Sequence, residues 1–127
     1  STLFPYTTLF RSGSAVVVLG ASYRGRVKET AFSGVFPTVE ILKSRGAVVL
    51  VHDPMYTDEE LAAFGFTPYR LGEPVDAAIL QADHPEYLDL TPTDLPGTQV
   101  IIDGRGVLDP ARWKGVAYRS IGDGTAR

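Results

Sequence analysis

The sequence predicts a doubly wound α/β domain, with an open, mostly parallel, Rossmann-like sheet of order 3-2-1-4-5 and one more strand at the far edge. Three observations predict it. Four short apolar runs (Val16-Val17-Val18-Leu19, Val48-Val49-Leu50-Val51, Ala77-Ala78-Ile79-Leu80 and Val100-Ile101-Ile102) are continuous rather than alternating, as suits strands buried on both faces. Helical or turn-rich segments separate them, which implies right-handed crossovers. Each run stops at a cluster of glycine and polar residues, and open parallel sheets bind ligands beyond the carboxyl ends of their strands.

The elements follow in order. The first strand spans 15–21. A basic loop over 23–30 carries Arg24, Arg26 and Lys28 against Glu29. A helix is expected from Ser33 or Gly34 to Arg45, with Ser33 as N-cap, Pro37 confined to the first turn, and Val35, Phe36, Val39 and Leu42 as its apolar face. Arg45 and Gly46 mark its end. The second strand, 47–52, stops at Asp53-Pro54, and a short helix over 57–64 is capped by Thr57 or Asp58 and stopped by Gly65. Residues 66–71 read as a weak third strand, at an edge because of Pro68. The fourth strand is 75–80; residues 87–98, with two prolines, hold at most one helical turn. The fifth strand is 99–103. Asp109-Pro110 opens a short helix to Lys114, and a last strand spans 116–121. The sheet order reverses between the first and fourth strands, so Gly20 to Arg24, the segment after Leu80 and Arg105 should share the crevice there.

At 127 residues the chain fits one domain with a core of its own. It has no cysteine, which excludes disulfides, thiolate metal sites and a cysteine nucleophile within it. The 12 basic and 15 acidic residues leave a formal charge of -3, without the basic footprint that nucleic acid or an anionic membrane surface would select. No apolar run approaches the roughly 18 residues of a membrane helix. The expected setting is cytoplasmic. Residues 1–12, STLFPYTTLFRS, show no helical or strand period and resemble the conceptual translation of a sequencing-adapter oligonucleotide. They are set aside as a leader, artefactual or a natural arm, and the domain is taken as 13–127, with an open reading frame expected to continue upstream.

Several polar groups are candidates for chemistry. Gly20 would let a ligand approach the first strand's turn, and exposed N–H groups near the following helix favour an anion. The spacing is neither G-x-G-x-x-G nor a phosphate loop, and a tight turn with solvated arginines explains Gly20 to Gly25 as well. Arg105, between Gly104 and Gly106, has little to pack against, and its planar fork suits phosphate or carboxylate. Asp103 either orients Arg105 or caps the next turn. His52 and His84 are the two histidines, and neither has a partner at metal-ligand spacing. Asp53 stands where an acid can hold a ribose hydroxyl, though a turn-forming Asp-Pro accounts for it equally. Ser22 and Ser33 lack the strained context of a nucleophile.

Taken together, Gly20-Ala21-Ser22-Tyr23-Arg24, Val51-His52-Asp53-Pro54, His84-Pro85-Glu86-Tyr87, Asp103-Gly104-Arg105-Gly106-Val107-Leu108-Asp109 and Tyr118-Arg119-Ser120-Ile121-Gly122 occur in an order that resembles the C-terminal, UDP-binding domain of the UDP-glucose/GDP-mannose dehydrogenase family. The resemblance covers 15–122, and the D-G-R-x-x-L-D segment is its most specific piece. It implies a two-fold oxidation of a nucleotide sugar, alcohol to aldehyde to acid, with two NAD reduced. It also implies NAD bound mainly by an N-terminal domain, a catalytic cysteine upstream, and a central domain, none of them in this chain, in an enzyme that is a homo-oligomer. On this resemblance Tyr23 contacts the uridine, Arg24 the sugar or phosphate side, and Arg105 the nucleotide sugar. Two positions depart from the family pattern: Arg24 replaces the usual lysine, and Ala31-Phe32 replaces the R-E of a segment whose arginine helps hold the dinucleotide. Two other classes stay open, a non-catalytic binding module that kept the fold and a receiver-like signalling domain. The latter would need acids after the first strand, where Gly20-Ala21-Ser22 has none.

Overall fold

The computed structural model describes residues 13–31 and 33–120. The leader, Phe32 and the end of the quoted motif at Ile121-Gly122 therefore lie outside the described residues. Five parallel strands form one sheet in the order β2-β1-β3-β4-β5, where β1 is Ala15–Leu19, β2 Val48–His52, β3 Ala77–Leu80, β4 Val100–Asp103 and β5 Ala117–Ser120. The Rossmann-like class expected from the apolar runs is what the chain adopts. Register places Leu19 beside both His52 and Leu80, and Leu80 beside Asp103, so all four strand ends lie along one edge.

Side-chain alternation along β1 divides the core. Val16 and Val18 face α1 (Val35–Ser44), packing with Val35, Val39 and Leu42 and with Leu61 of α2 (Asp58–Ala63). Val17 and Leu19 face the other way, against Tyr87, Leu90, Leu95, Leu108 and Trp113. That second layer consists of short 3-10 turns, Pro85–Asp89, Pro92–Asp94 and Pro110–Trp113, because the proline-rich segments allow no full helix. Burying apolar surface on both faces is what permits unbroken apolar strands.

Three expectations need correction. Residues 66–71 form no strand, only a single parallel bridge between Val51 and Pro68. Gly65 (φ 91°) and Gly72 (φ 100°) turn the chain on either side, and the Arg70 amide donates to Glu73 Oε1 instead of extending a ladder. Helix α1 has Gly34, not Ser33, at its N-cap; Ser33 Oγ accepts the Val35 amide (3.1 Å) from one position earlier. Phe36 is not on the buried face. It is 37% exposed and packs edge-on and tilted against Phe64 and Phe66 (centroids 6.1 and 5.2 Å), while Thr38 takes the buried position. Thr57 caps α2 as expected, in a reciprocal box with Glu60.

Candidate functional site

The carboxyl ends of β1, β3 and β4 converge through the side chain of Arg105. Its Nε donates to the Gln81 carbonyl just past β3 (3.0 Å), and its Nη2 donates to the Tyr23 carbonyl in the loop after β1. Two of the guanidinium's five N–H donors are thus used, and the planar fork is held at the switch point. Asp103 fixes the loop beneath it. Oδ1 accepts the amides of Arg105 (3.1 Å) and Gly106 (2.8 Å); Oδ2 accepts the Leu108 amide and the Tyr118 hydroxyl (2.8 and 2.7 Å). Asp103 therefore acts as the cap of the turn and positions Arg105 through the backbone. At Gly104 a Cβ would stand 2.7 Å from the Leu80 carbonyl oxygen, which is why the turn needs glycine.

Gly20 is held the same way. Its φ of 107° lies in the region that favours glycine, and a Cβ there would meet Ala82 Cβ at 2.5 Å. The glycine lets the loop after β1 lie against the segment after β3. Tyr23 and Arg24 are exposed and pair with each other: Arg24 Nε donates to Tyr23 Oη (3.2 Å), with the guanidinium 5.5 Å from the ring centroid. The N-terminus of α1, where Ser33 Oγ accepts the Val35 amide, borders the same crevice; Thr38 Oγ1 donates to Gln81 Oε1 there (3.0 Å), and no acid stands in the first turn. Asp83 is the opposing charge. Its Oδ1 accepts the Gly25 amide (2.7 Å), and that bond, with Arg105 nearby, holds its carboxyl below the usual range despite some burial.

Asp53 and His84 lie beneath this loop, not in a solvent-facing site. Asp53 is 3% exposed, and both oxygens are committed: Oδ2 accepts from the Ala21 amide (2.8 Å), the Ser22 amide (3.2 Å), Ser22 Oγ (3.3 Å) and His84 Nε2 (2.9 Å), and Oδ1 from the Met55 amide (2.8 Å). Burial works against its charge, but the bonds from His84, Met55 and Ala21 prevail and lower its pKa. Ser22, Asp53 and His84 are thus brought together, which their spacing in the chain did not signal. Both Ser22 and His84 donate to the same carboxylate, so no base addresses the serine and the arrangement is not a nucleophilic triad. His52, half-buried, has its Nδ1 3.0 Å from the Tyr87 hydroxyl. Burial lowers the His52 pKa against the pull of Asp53, and burial raises that of Tyr87.

A cleft of about 380 Å³ opens elsewhere, beyond β2, lined among others by His52, Tyr56, Asp58, Tyr69 and Arg70. It includes none of Gly20, Tyr23, Arg24, Gly104 or Arg105. At the switch point itself the Arg105 side chain spans the gap between the loops. Among the described residues no group of three or more His, Asp or Glu could hold a metal ion, and no helix is long and apolar enough to cross a membrane.

A profile of the UDP-glucose/GDP-mannose dehydrogenase family, UDP binding domain, matches residues 17–110. Among solved structures the chain is similar to a UDP-glucose dehydrogenase from Pyrobaculum islandicum (26% identity, TM-score 0.70, covering 92% of this chain and 27% of that one). It is also similar in fold to the UDP-D-ManNAc dehydrogenase of Pyrococcus horikoshii (23%, 0.66, 97% and 29%) and to the UDP-N-acetyl-mannosamine dehydrogenase Cap5O of S. aureus (23%, 0.68, 86% and 26%). The chain spans less than a third of the length of each of these proteins. No curated protein matches it. The match over 17–110, on the sheet and the strand-end loops just described, shows that the chain belongs to the UDP-glucose/GDP-mannose dehydrogenase family, as its UDP-binding domain.

Proposed function

We propose that the crevice between the β1, β3 and β4 loops grips the diphosphate of a UDP-sugar, with Arg105 and Arg24 as its cations and the Gly20 loop supplying amide donors. The observation that carries this reading is the Arg105 bridge to the Tyr23 and Gln81 carbonyls, which joins the three loops bearing Gly20, Tyr23, Arg24, Gly104 and Arg105. A diphosphate needs positive charge and N–H donors held in place beforehand, and a guanidinium already fixed along one edge loses little freedom on binding. Tyr23, 37% exposed, offers a ring face to the uracil. Asp103 supports Arg105, and His52, Asp53 and His84 support the loops, without contact to the ligand.

In this reading the polypeptide to which the domain belongs is an NAD-dependent UDP-sugar 6-dehydrogenase that oxidises the sugar alcohol to the acid in the cytoplasm, as a homo-oligomer. The UDP grip would then supply remote binding energy that holds the sugar carbon for chemistry on the other domains. This domain has no cation at position 31 to offer a dinucleotide: the Ala31 amide donates to Glu29 Oε1 (3.0 Å), which puts a carboxylate there instead. NAD is accordingly assigned to the other domains.

The test is calorimetric titration of the chain with UDP, UMP and uridine, followed by Arg105→Ala. Truncating an arginine at a desolvated phosphate contact costs about 2–5 kcal/mol. Arg105 is exposed, so the low end applies, about 30-fold in Kd. UDP should bind more tightly than UMP, and UMP more tightly than uridine. Equal affinity for the three, or no loss on truncation, would refute the diphosphate assignment.

A further inference from the structure

The loop that carries Tyr23, Arg24 and Arg26 is tied at both ends to one buried carboxylate. At its start the amides of Ala21 and Ser22 donate to Asp53 Oδ2. At its far end the Arg26 amide donates to His84 Nδ1 (3.1 Å), and His84 Nε2 lies 2.9 Å from the same Asp53 Oδ2. Because Nδ1 accepts an amide proton, Nε2 must carry the ring proton and donate it to Asp53, so the imidazole is fixed in one tautomer. The ring is 1% exposed.

The backbone at this anchor is unusual. Arg26 has φ 65°, and among the described residues it is the one non-glycine at positive φ. Such a conformation persists where the surroundings impose it. Two successive amides, Gly25 and Arg26, are received by two successive side chains, Asp83 and His84. The Asp83 bond is exposed, so water competes for it, whereas the His84 bond is part-buried against a buried ring.

We infer that His84 is a positioning residue for the nucleotide grip: its Nδ1 holds Arg26 in the left-handed conformation and thereby fixes the Tyr23–Arg24 pair beside Arg105. The inference rests on the nucleotide-binding reading above. It goes beyond it in assigning ligand affinity to a side chain that never meets the ligand.

Two substitutions divide the two ring nitrogens. In His84→Gln the side-chain amide can still donate to Asp53 but supplies no acceptor at the Nδ1 position. In His84→Asn an acceptor remains near Nδ1, and the donor to Asp53 is lost. His84→Gln should bind UDP about tenfold more weakly, since the loop must now be ordered on binding, while its urea midpoint falls less than that of His84→Asn, because water can reach the part-buried Arg26 amide. His84→Asn should keep UDP affinity within about threefold and lose stability, because Asp53 is left short of a partner. Affinity that follows stability across both variants, or is unchanged in both, overturns the inference. Hydrogen exchange of the Arg26 amide gives a readout without ligand: it should accelerate at least about tenfold in His84→Gln and not in His84→Asn. If the wild-type chain binds no UDP, the nucleotide reading falls. The exchange measurement then decides the role of His84, with acceleration confined to the Gln variant supporting the tether and its absence refuting it.

Discussion

Replacing Asp53 with asparagine should remove a large share of the domain's stability, although the change is isosteric. Every contact of the carboxylate is with a donor: the Ala21, Ser22 and Met55 amides, Ser22 Oγ and His84 Nε2. The amide would turn its oxygen toward the crowded Oδ2 side and its NH2 toward the Met55 amide. One buried donor then faces another, at about 1–3 kcal/mol. The bonds that remain lose their charge assistance, about 1 kcal/mol for each of the stronger ones. The sum is about 3–5 kcal/mol, against a total of about 5–15 for a domain of this kind. Trp113, the single tryptophan and 1% exposed, reports unfolding by fluorescence. With a slope of about 1–3 kcal/mol/M the urea midpoint should fall by about 2 M. A midpoint within about 0.3 M of wild type would show that the carboxylate does not join the three loops as described.

Further outcomes follow from the same geometry. Gly20→Ala and Gly65→Ala both place a side chain at positive φ, at about 1–2 kcal/mol each. Gly20 adds a collision with Ala82 that open space at Gly65 does not, so its melting temperature should fall further by the equivalent of about 1–3 kcal/mol; equal shifts would argue against the close approach. Stability should decline on acidification in two steps. Burial lowers the His52 pKa from 6.5, and hydrogen bonds lower that of Asp53 from 3.8, so in each case the unfolded chain binds the proton first. The contribution of each group is complete above its unfolded pKa and is lost as pH falls through the folded one. A urea series from pH 8 to pH 3 should show both steps, and His52→Gln should flatten the upper one.

Much of the fold was legible in the apolar runs, because strands buried on both faces leave a continuous signature. The turn chemistry was equally readable where one residue type decides it, as at Thr57, Gly46 and Asp109. What failed was long-range. Residues 66–71 have strand-like composition, yet glycines at 65 and 72 leave room for one bridge only. Phe36 falls on the helical stripe but stays at the rim of the core, against exposed Phe64 and buried Phe66. At the site, local pattern singled out Gly20, Asp103 and Arg105, since an arginine between glycines at a strand end has few structural reasons to be there. It gave no hint of Gln81 as a partner of Arg105, nor of the chain from Ala21 through Asp53 and His84 to Arg26. Those contacts join residues 24 to 58 positions apart and exist only because parallel strands bring their ends to one edge.

The most direct measurement is an amide-resolved NMR titration of the chain with UDP. Shifts should concentrate at residues 20–26, 81–84 and 104–107, around the Arg105 bridge. Shifts concentrated instead around His52, Tyr56, Tyr69 and Arg70 would place the ligand in the cleft beyond β2 and contradict the diphosphate grip at the switch point.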